Sequence, residues 1–148
     1  MADSDIKALT ENLPAPDFDD TPFVTPVPLA EATVAVVTTA SLHHPDQDDF
    51  VPMDASYRVL DGARSDYVMG HWSPNFDGVG FAADMNTVLP LDRLDELAAQ
   101  GVIGHVAEHH LAYAGNQFDL ATVTMDTGPA GATWLREQGV DIALFTPV

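Results

Sequence analysis

Residues 33–40 read TVAVVTTA, and this stretch decides the fold. Its valines and threonines lose side-chain freedom in a helix but pack well on a pleated surface. The run does not alternate apolar with polar, so it predicts a strand buried on both faces, as in the interior of a parallel sheet.

Working outward, residues 90–101, PLDRLDELAAQG, predict an amphipathic helix. Pro90 suits its first turn, Leu91, Leu94, Leu97 and Ala98 form one apolar stripe, and Gly101 supplies a left-handed cap. Residues 127–138, TGPAGATWLREQ, predict a second helix with Thr127 as N-cap, Pro129 in the first turn and Gly139 closing it. Short strands are expected at 66–72, 102–107 and 141–148, the last reading DIALFTPV as a buried strand. Between the first two strands lies a long polar loop. Strands alternating with helices predict an α/β fold, a three-layer sandwich around a mainly parallel sheet of about four strands.

A short helix is expected over residues 3–13. Prolines at 14, 16, 22, 26 and 28 then exclude helix or central strand, so an extended Pro-rich arm should follow, anchored by Phe18 and Phe23. Residues 1–148 are thus expected to form one domain, with helix and arm over 1–30 and the core over 31–148.

Composition narrows the function. The 148 residues carry 23 acidic against 5 basic side chains, a net charge of -18. Such a surface repels phosphate backbones and anionic lipid, so neither nucleic acid nor membrane is an expected partner. The acidic bias suits a salt-rich setting. No apolar run reaches the roughly 20 residues of a membrane span, and MADSDIKALTENL at the N-terminus is unlike a signal peptide. A cytoplasmic location is expected. The sequence holds no cysteine, hence no thiol chemistry of its own.

Histidine collects at the expected carboxyl ends of strands, where parallel sheets bind ligands. His43 and His44 follow the first strand, His71 with Asn75 and Asp77 the second, and Glu108, His109, His110 and Tyr113 the third. Imidazole transfers protons near neutral pH and ligates zinc or iron. Three readings stay open: solvated turns, a divalent metal site (zinc or iron) with His43, His71 and His110 as candidate ligands beside Asp77, or a polar pocket that binds and protonates a small molecule. Asp77 also suits a turn, because Gly78 follows it. Trp72 and Trp134 read as core residues.

Six segments carry a family resemblance: TVAVVTTASLH, DASYRVL, VMGHWSPNFD, VLPLDRLDELAAQGVIG, HHLAYAG and GVDIALFTPV. They resemble the glycine/sarcosine/betaine reductase selenoprotein B family, from about residue 18 to residue 148, with Gly70 where that family usually has serine. The resemblance implies an α/β fold and reduction of a small activated substrate by a selenolate or thiolate, with reducing equivalents from a thioredoxin-like partner in the full-length form. It carries over His43, His71, Asp77 and His110 as catalytic-site positions, and leaves His44, Glu108 and His109 less securely placed.

Family members continue past the TPV segment with a redox cysteine or selenocysteine. Selenocysteine is encoded by UGA, so a gene using it would be read conventionally as a protein ending at LFTPV. The expectation is therefore a truncated, redox-inactive reductase domain. Its alternative is a non-catalytic module that binds a small ligand or a metal, and a third reading is a homodimer or partner subunit paired through the last strand.

Overall fold

The computed structural model describes residues 5, 8, 24–71, 78–115, 117 and 120–148. Of the expected N-terminal helix only Asp5 and Ala8 lie within that set, and both are helical. Phe18, Phe23, Trp72 and Asp77 lie outside the described residues. The described end of the arm, residues 24–28, is exposed and irregular, as its prolines require.

The strand predicted from TVAVVTTA is β1, Thr33–Thr38, and it is the centre of the sheet. Val34 and Val36 face one core, while Ala35 and Val37 face the other. Along one edge of β1 run two strands end to end. Strand β5, His105–Val106, pairs in parallel with Thr33 and Val34, and β6, His109–Tyr113, pairs in parallel with Val37 and Thr38. Strand β3, Tyr57–Asp61, pairs antiparallel with β6. Along the other edge β7, Ile142–Thr146, pairs in parallel with β1. A separate ribbon joins β2, Leu42–His43, antiparallel to β4, Val68–Met69.

Helices cover both faces, so the α/β three-layer arrangement expected from the sequence is present. On one face lie α1, Gly78–Ala83, and α2, Leu91–Ala99, with Leu94 of α2 buried among Val34, Val36, Leu89 and Ile103. The cap of α2 is as predicted, Gly101 taking a φ of 72°. On the other face α3, Gly128–Glu137, sets Trp134 and Leu135 against Ala35, Val37 and Leu111. Thr127 does not cap α3. A π-turn over Val123–Thr127 carries the helical path back toward residue 121, and the Thr127 hydroxyl instead donates to Ala55 O at 2.6 Å. The wider turn suits Pro129, which lacks the N–H a regular α-turn would use.

Three expectations about strands need correction. The polar loop after β1 contains β2 and β3, because YRVLD gains its ladder from β6, a partner distant in sequence. Among the described residues of the segment 66–72 the strand is Val68–Met69, and these pair with β2 outside the main sheet. Strand β7 is apolar but not buried on both faces. It pairs only with β1 among the described residues, and Phe145 is 69% exposed. Beside α3 its outer face borders an open trough of about 560 Å³, lined by Val37, Leu111, Ala143 and Phe145.

No helix among the described residues is long and apolar enough to cross a membrane.

Candidate functional site

The parallel strands β1, β6 and β7 end together, and the residues after them meet at one rim. Thr39 is the meeting point. Its N–H donates to Thr146 O (3.3 Å), and its carbonyl accepts from Gly115 N–H (3.0 Å). Its hydroxyl accepts from Val148 N–H at 2.9 Å and donates to Val148 O at 3.4 Å. Ala40 and Ala114 form an isolated antiparallel bridge just beyond.

His71 stands at this rim. A methyl group on Gly115 would lie 3.1 Å from Thr39 O, 3.2 Å from Val148 O and 3.3 Å from His71 Nε2. With no side chain on Gly115, Thr39 O, Val148 O and His71 Nε2 border one space. Burial holds His71 below the ordinary imidazole value, so the ring is neutral at pH 7 and able to accept a proton.

Backbone geometry delivers His71 there. Ser41 is fully buried at a φ of 55°, a region that non-glycine residues seldom occupy. That turn lets Ser41 N–H donate to Tyr113 O (3.0 Å) while Ser41 O accepts from Gly70 N–H (2.9 Å). Gly70 fits tightly, since a Cβ there would be 3.1 Å from Ser41 O and 3.4 Å from the His43 ring. A serine at position 70 would have to displace these neighbours.

The ring of His43 lies against Gly70, the residue before His71. Its ring is 2% exposed, Nδ1 donates to His44 O at 3.0 Å, and Nε2 lies 3.6 Å from Asp49 Oδ1. His44 turns away toward β3. Its Nε2 accepts from Asp61 N–H (3.0 Å), so Nδ1 carries the proton and donates to Asp66 (3.1 Å). Arg64 pairs with both Asp66 and Asp46, and its hydrogen bonds hold the Asp66 carboxyl down to about 2.

His110 is not at the rim. The sequence places it after a strand, but β5 and β6 are successive pieces along one edge of β1, so His110 lies within the sheet. It is fully buried, and its Nδ1 accepts from Val36 N–H at 3.0 Å, where the β1 ladder passes the break between β5 and β6. Burial, reinforced by the neighbouring His109, lowers His110 to about 4. His109 packs edge-on against Trp134, with ring centroids 5.9 Å apart. Glu108 offers its backbone carbonyl to Gly62 N–H at 2.9 Å.

Of these histidines the structure places His71 at the carboxyl rim, sets the His43 ring against Gly70 and leaves His110 within the sheet. Among the described residues no three histidine, aspartate or glutamate side chains converge as metal ligands. Sequence reasoning missed Thr39 and Gly115. The only signal for them was their position just past the apolar cores of β1 and β6 in TTASL and LAYAG.

The family model of glycine/sarcosine/betaine reductase selenoprotein B matches residues 5–148. D-proline reductase subunit gamma of Acetoanaerobium sticklandii is 34% identical over 130 residues, covering 84% of this chain and 53% of that protein. Glycine reductase complex component B subunit gamma of Carboxydothermus hydrogenoformans is 30% identical over 149 aligned positions, covering 93% of this chain and 33% of that protein. The chain therefore spans about half the length of the first relative and a third of the second. No solved structure matches it. A match that runs through every element of the sheet and through both sides of the rim makes the chain a member of the glycine/sarcosine/betaine reductase selenoprotein B family.

Proposed function

We propose that the chain is the substrate-side domain of a selenoprotein B-type reductase, and that His71 is the proton-transfer group at its carboxyl rim. The observation that carries this reading is the approach of His71 Nε2, Thr39 O and Val148 O around Gly115, at the ends of three parallel strands. Reductive cleavage by a selenolate or thiolate leaves a group that needs a proton, and an imidazole at the rim supplies or relays it. The nucleophile comes from outside these 148 residues, which contain no cysteine. It belongs to further polypeptide of the same protein or to a partner subunit. The names of the family and of its relatives point to small amino acids and N-methylated glycines as substrates: glycine, sarcosine, betaine and D-proline.

Two measurements test the proposal. Titration calorimetry of the 148-residue chain with these four compounds should show binding of at least one, with no turnover when dithiothreitol is the reductant. Dithiol-driven turnover by this cysteine-free chain would refute the assignment of the nucleophile. In the assembled reductase His71→Gln should lower kcat/KM by roughly 10²- to 10³-fold, as loss of a general acid–base does. An unchanged kcat/KM would remove His71 from the mechanism.

A further inference from the structure

We propose that Thr39 is the positioning residue of the rim, the side chain that holds Val148 beside the space that His71 borders. The inference rests on reading the rim as the reaction site. Four hydrogen bonds of Thr39 support it.

Thr39 is the first residue past β1, so its backbone belongs to the most buried strand of the sheet. The N–H binds β7 through Thr146 O, and the carbonyl binds the end of β6 through Gly115 N–H. These bonds fix the position of Thr39 itself. Its hydroxyl then makes a two-way contact with one residue, accepting from Val148 N–H and donating to Val148 O. Strand pairing cannot do this work, because the β1–β7 ladder ends at Thr38 and Thr146. The next β7 donor in this register is Val148 N–H, and it binds the Thr39 hydroxyl instead of the Thr39 carbonyl, which Gly115 N–H occupies. The hydroxyl replaces the missing ladder bond at the place where the chain leaves the sheet.

The consequence is geometric. Val148 O and Thr39 O both stand within about a van der Waals contact of the space beside Gly115, and His71 Nε2 borders the same space. A valine at 39 has nearly the same shape but leaves Val148 N–H and O without their partner. The end of β7 would then be free to swing away from the imidazole.

Nuclear magnetic resonance on the 148-residue chain tests this through Thr39→Val and Thr39→Ser. In Thr39→Val, amide exchange at Val148 should quicken about tenfold and the His71 ring resonances should shift. Thr39→Ser should restore both. The Val36 amide, buried in the middle of β1, serves as the control and should keep its protection in both variants. The proposal is overturned if Thr39→Val leaves Val148 and His71 unchanged. It is equally overturned if Thr39→Ser behaves like Thr39→Val, or if Val36 loses protection in step with Val148, since either result would make Thr39 an ordinary packing residue. The outcome is separable from that of the reductase reading. A wrong reaction assignment leaves these spectra as expected, whereas a wrong assignment of Thr39 leaves the kcat/KM loss of His71→Gln in place.

Discussion

Gly104→Ala is expected to destabilise the domain by about 3 kcal/mol or more, lowering its melting temperature by about 10 °C. A Cβ at Gly104 would lie 2.6 Å from Glu31 C, 2.8 Å from Glu31 O and 2.9 Å from Ala32 N. All three are backbone atoms, so no side chain can turn aside to make room. The backbone is also held from the other direction. Gly104 N–H donates to Leu29 O and Ala32 O, each at 3.1 Å, and His105 N–H donates to Ala32 O at 3.0 Å. These bonds clamp the 3-10 turn Leu29–Glu31 against the entrance of β5, just where the chain enters β1. A methyl group must therefore either break the clamp or push β5 off the first two residues of β1. Chemical denaturation of the purified variant gives the number. Gly101→Ala serves as the comparison, because nothing crowds that position and only its left-handed φ of 72° is at stake, a cost of about 1 kcal/mol. If the two variants are equally stable, the close packing at Gly104 is not what holds this corner.

These two glycines show which parts of the fold the sequence could reveal. Gly101 was readable because a helix stripe ends just before it, and a local signal needs only local residues. Gly104, three residues on, is required by a turn more than seventy residues earlier in the chain, and no spacing rule reports that contact. The strands divide in the same way. TVAVVTTA declares itself through composition, and the structure puts it at the centre of the sheet. YRVLD and HHLAY are short and partly polar, and they become strands through partners distant in sequence, β3 on β6 and β6 on β1. DIALFTPV was legible as a strand but not as an edge strand, since apolar content does not say how many neighbours a strand has.

The histidines fared unevenly for topological reasons. His43 lies within β2 and His71 follows β4, two strands that pair with each other outside the main sheet, and His71 comes to the rim through the bond between Gly70 and Ser41. His110 follows β5, which does not end the edge of the sheet but hands over to β6. A break within one edge looks, in sequence, the same as a strand end with a loop after it. What distinguishes the two is the apolar LAY that continues the strand, and that run is too short to stand out.

Between pH 6.5 and pH 4 the domain is expected to lose about 3 kcal/mol of stability through His110 alone. The sign follows from the two protonation states. In the unfolded chain an imidazole titrates near its ordinary value of 6.5, whereas in the fold His110 is lowered to about 4, first by burial and then by His109. Because its folded value is depressed, the folded state binds fewer protons in that window, and stability falls as pH falls. The contribution is whole above 6.5 and fully lost below 4. Structure explains why the proton is refused. Nδ1 is already accepting from Val36 N–H, so protonating it would point two N–H groups at each other, and the protonated ring would carry its charge in a site with no solvent exposure. The Nε2–H has no hydrogen-bond partner among the described residues, and Gly62 leaves only 3.0 Å between that nitrogen and where a Cβ would be. Two substitutions separate the charge from the hydrogen bond. His110→Leu removes the acceptor, so at pH 7 it should cost about 2–4 kcal/mol for the orphaned Val36 N–H and the imperfect fit. His110→Asn keeps an oxygen near the Nδ1 position and cannot titrate. Both variants should show a clearly shallower decline of unfolding free energy from pH 6.5 to 4 than the parent chain. The residual slope belongs to His71, whose burial acts in the same direction, and toward pH 4 also to carboxylates such as Asp66 that the fold holds below their ordinary value. Equal slopes in the parent and in both variants would mean that this imidazole takes up its proton inside the sheet without penalty, and its bond to Val36 would then not be the structural bond described above.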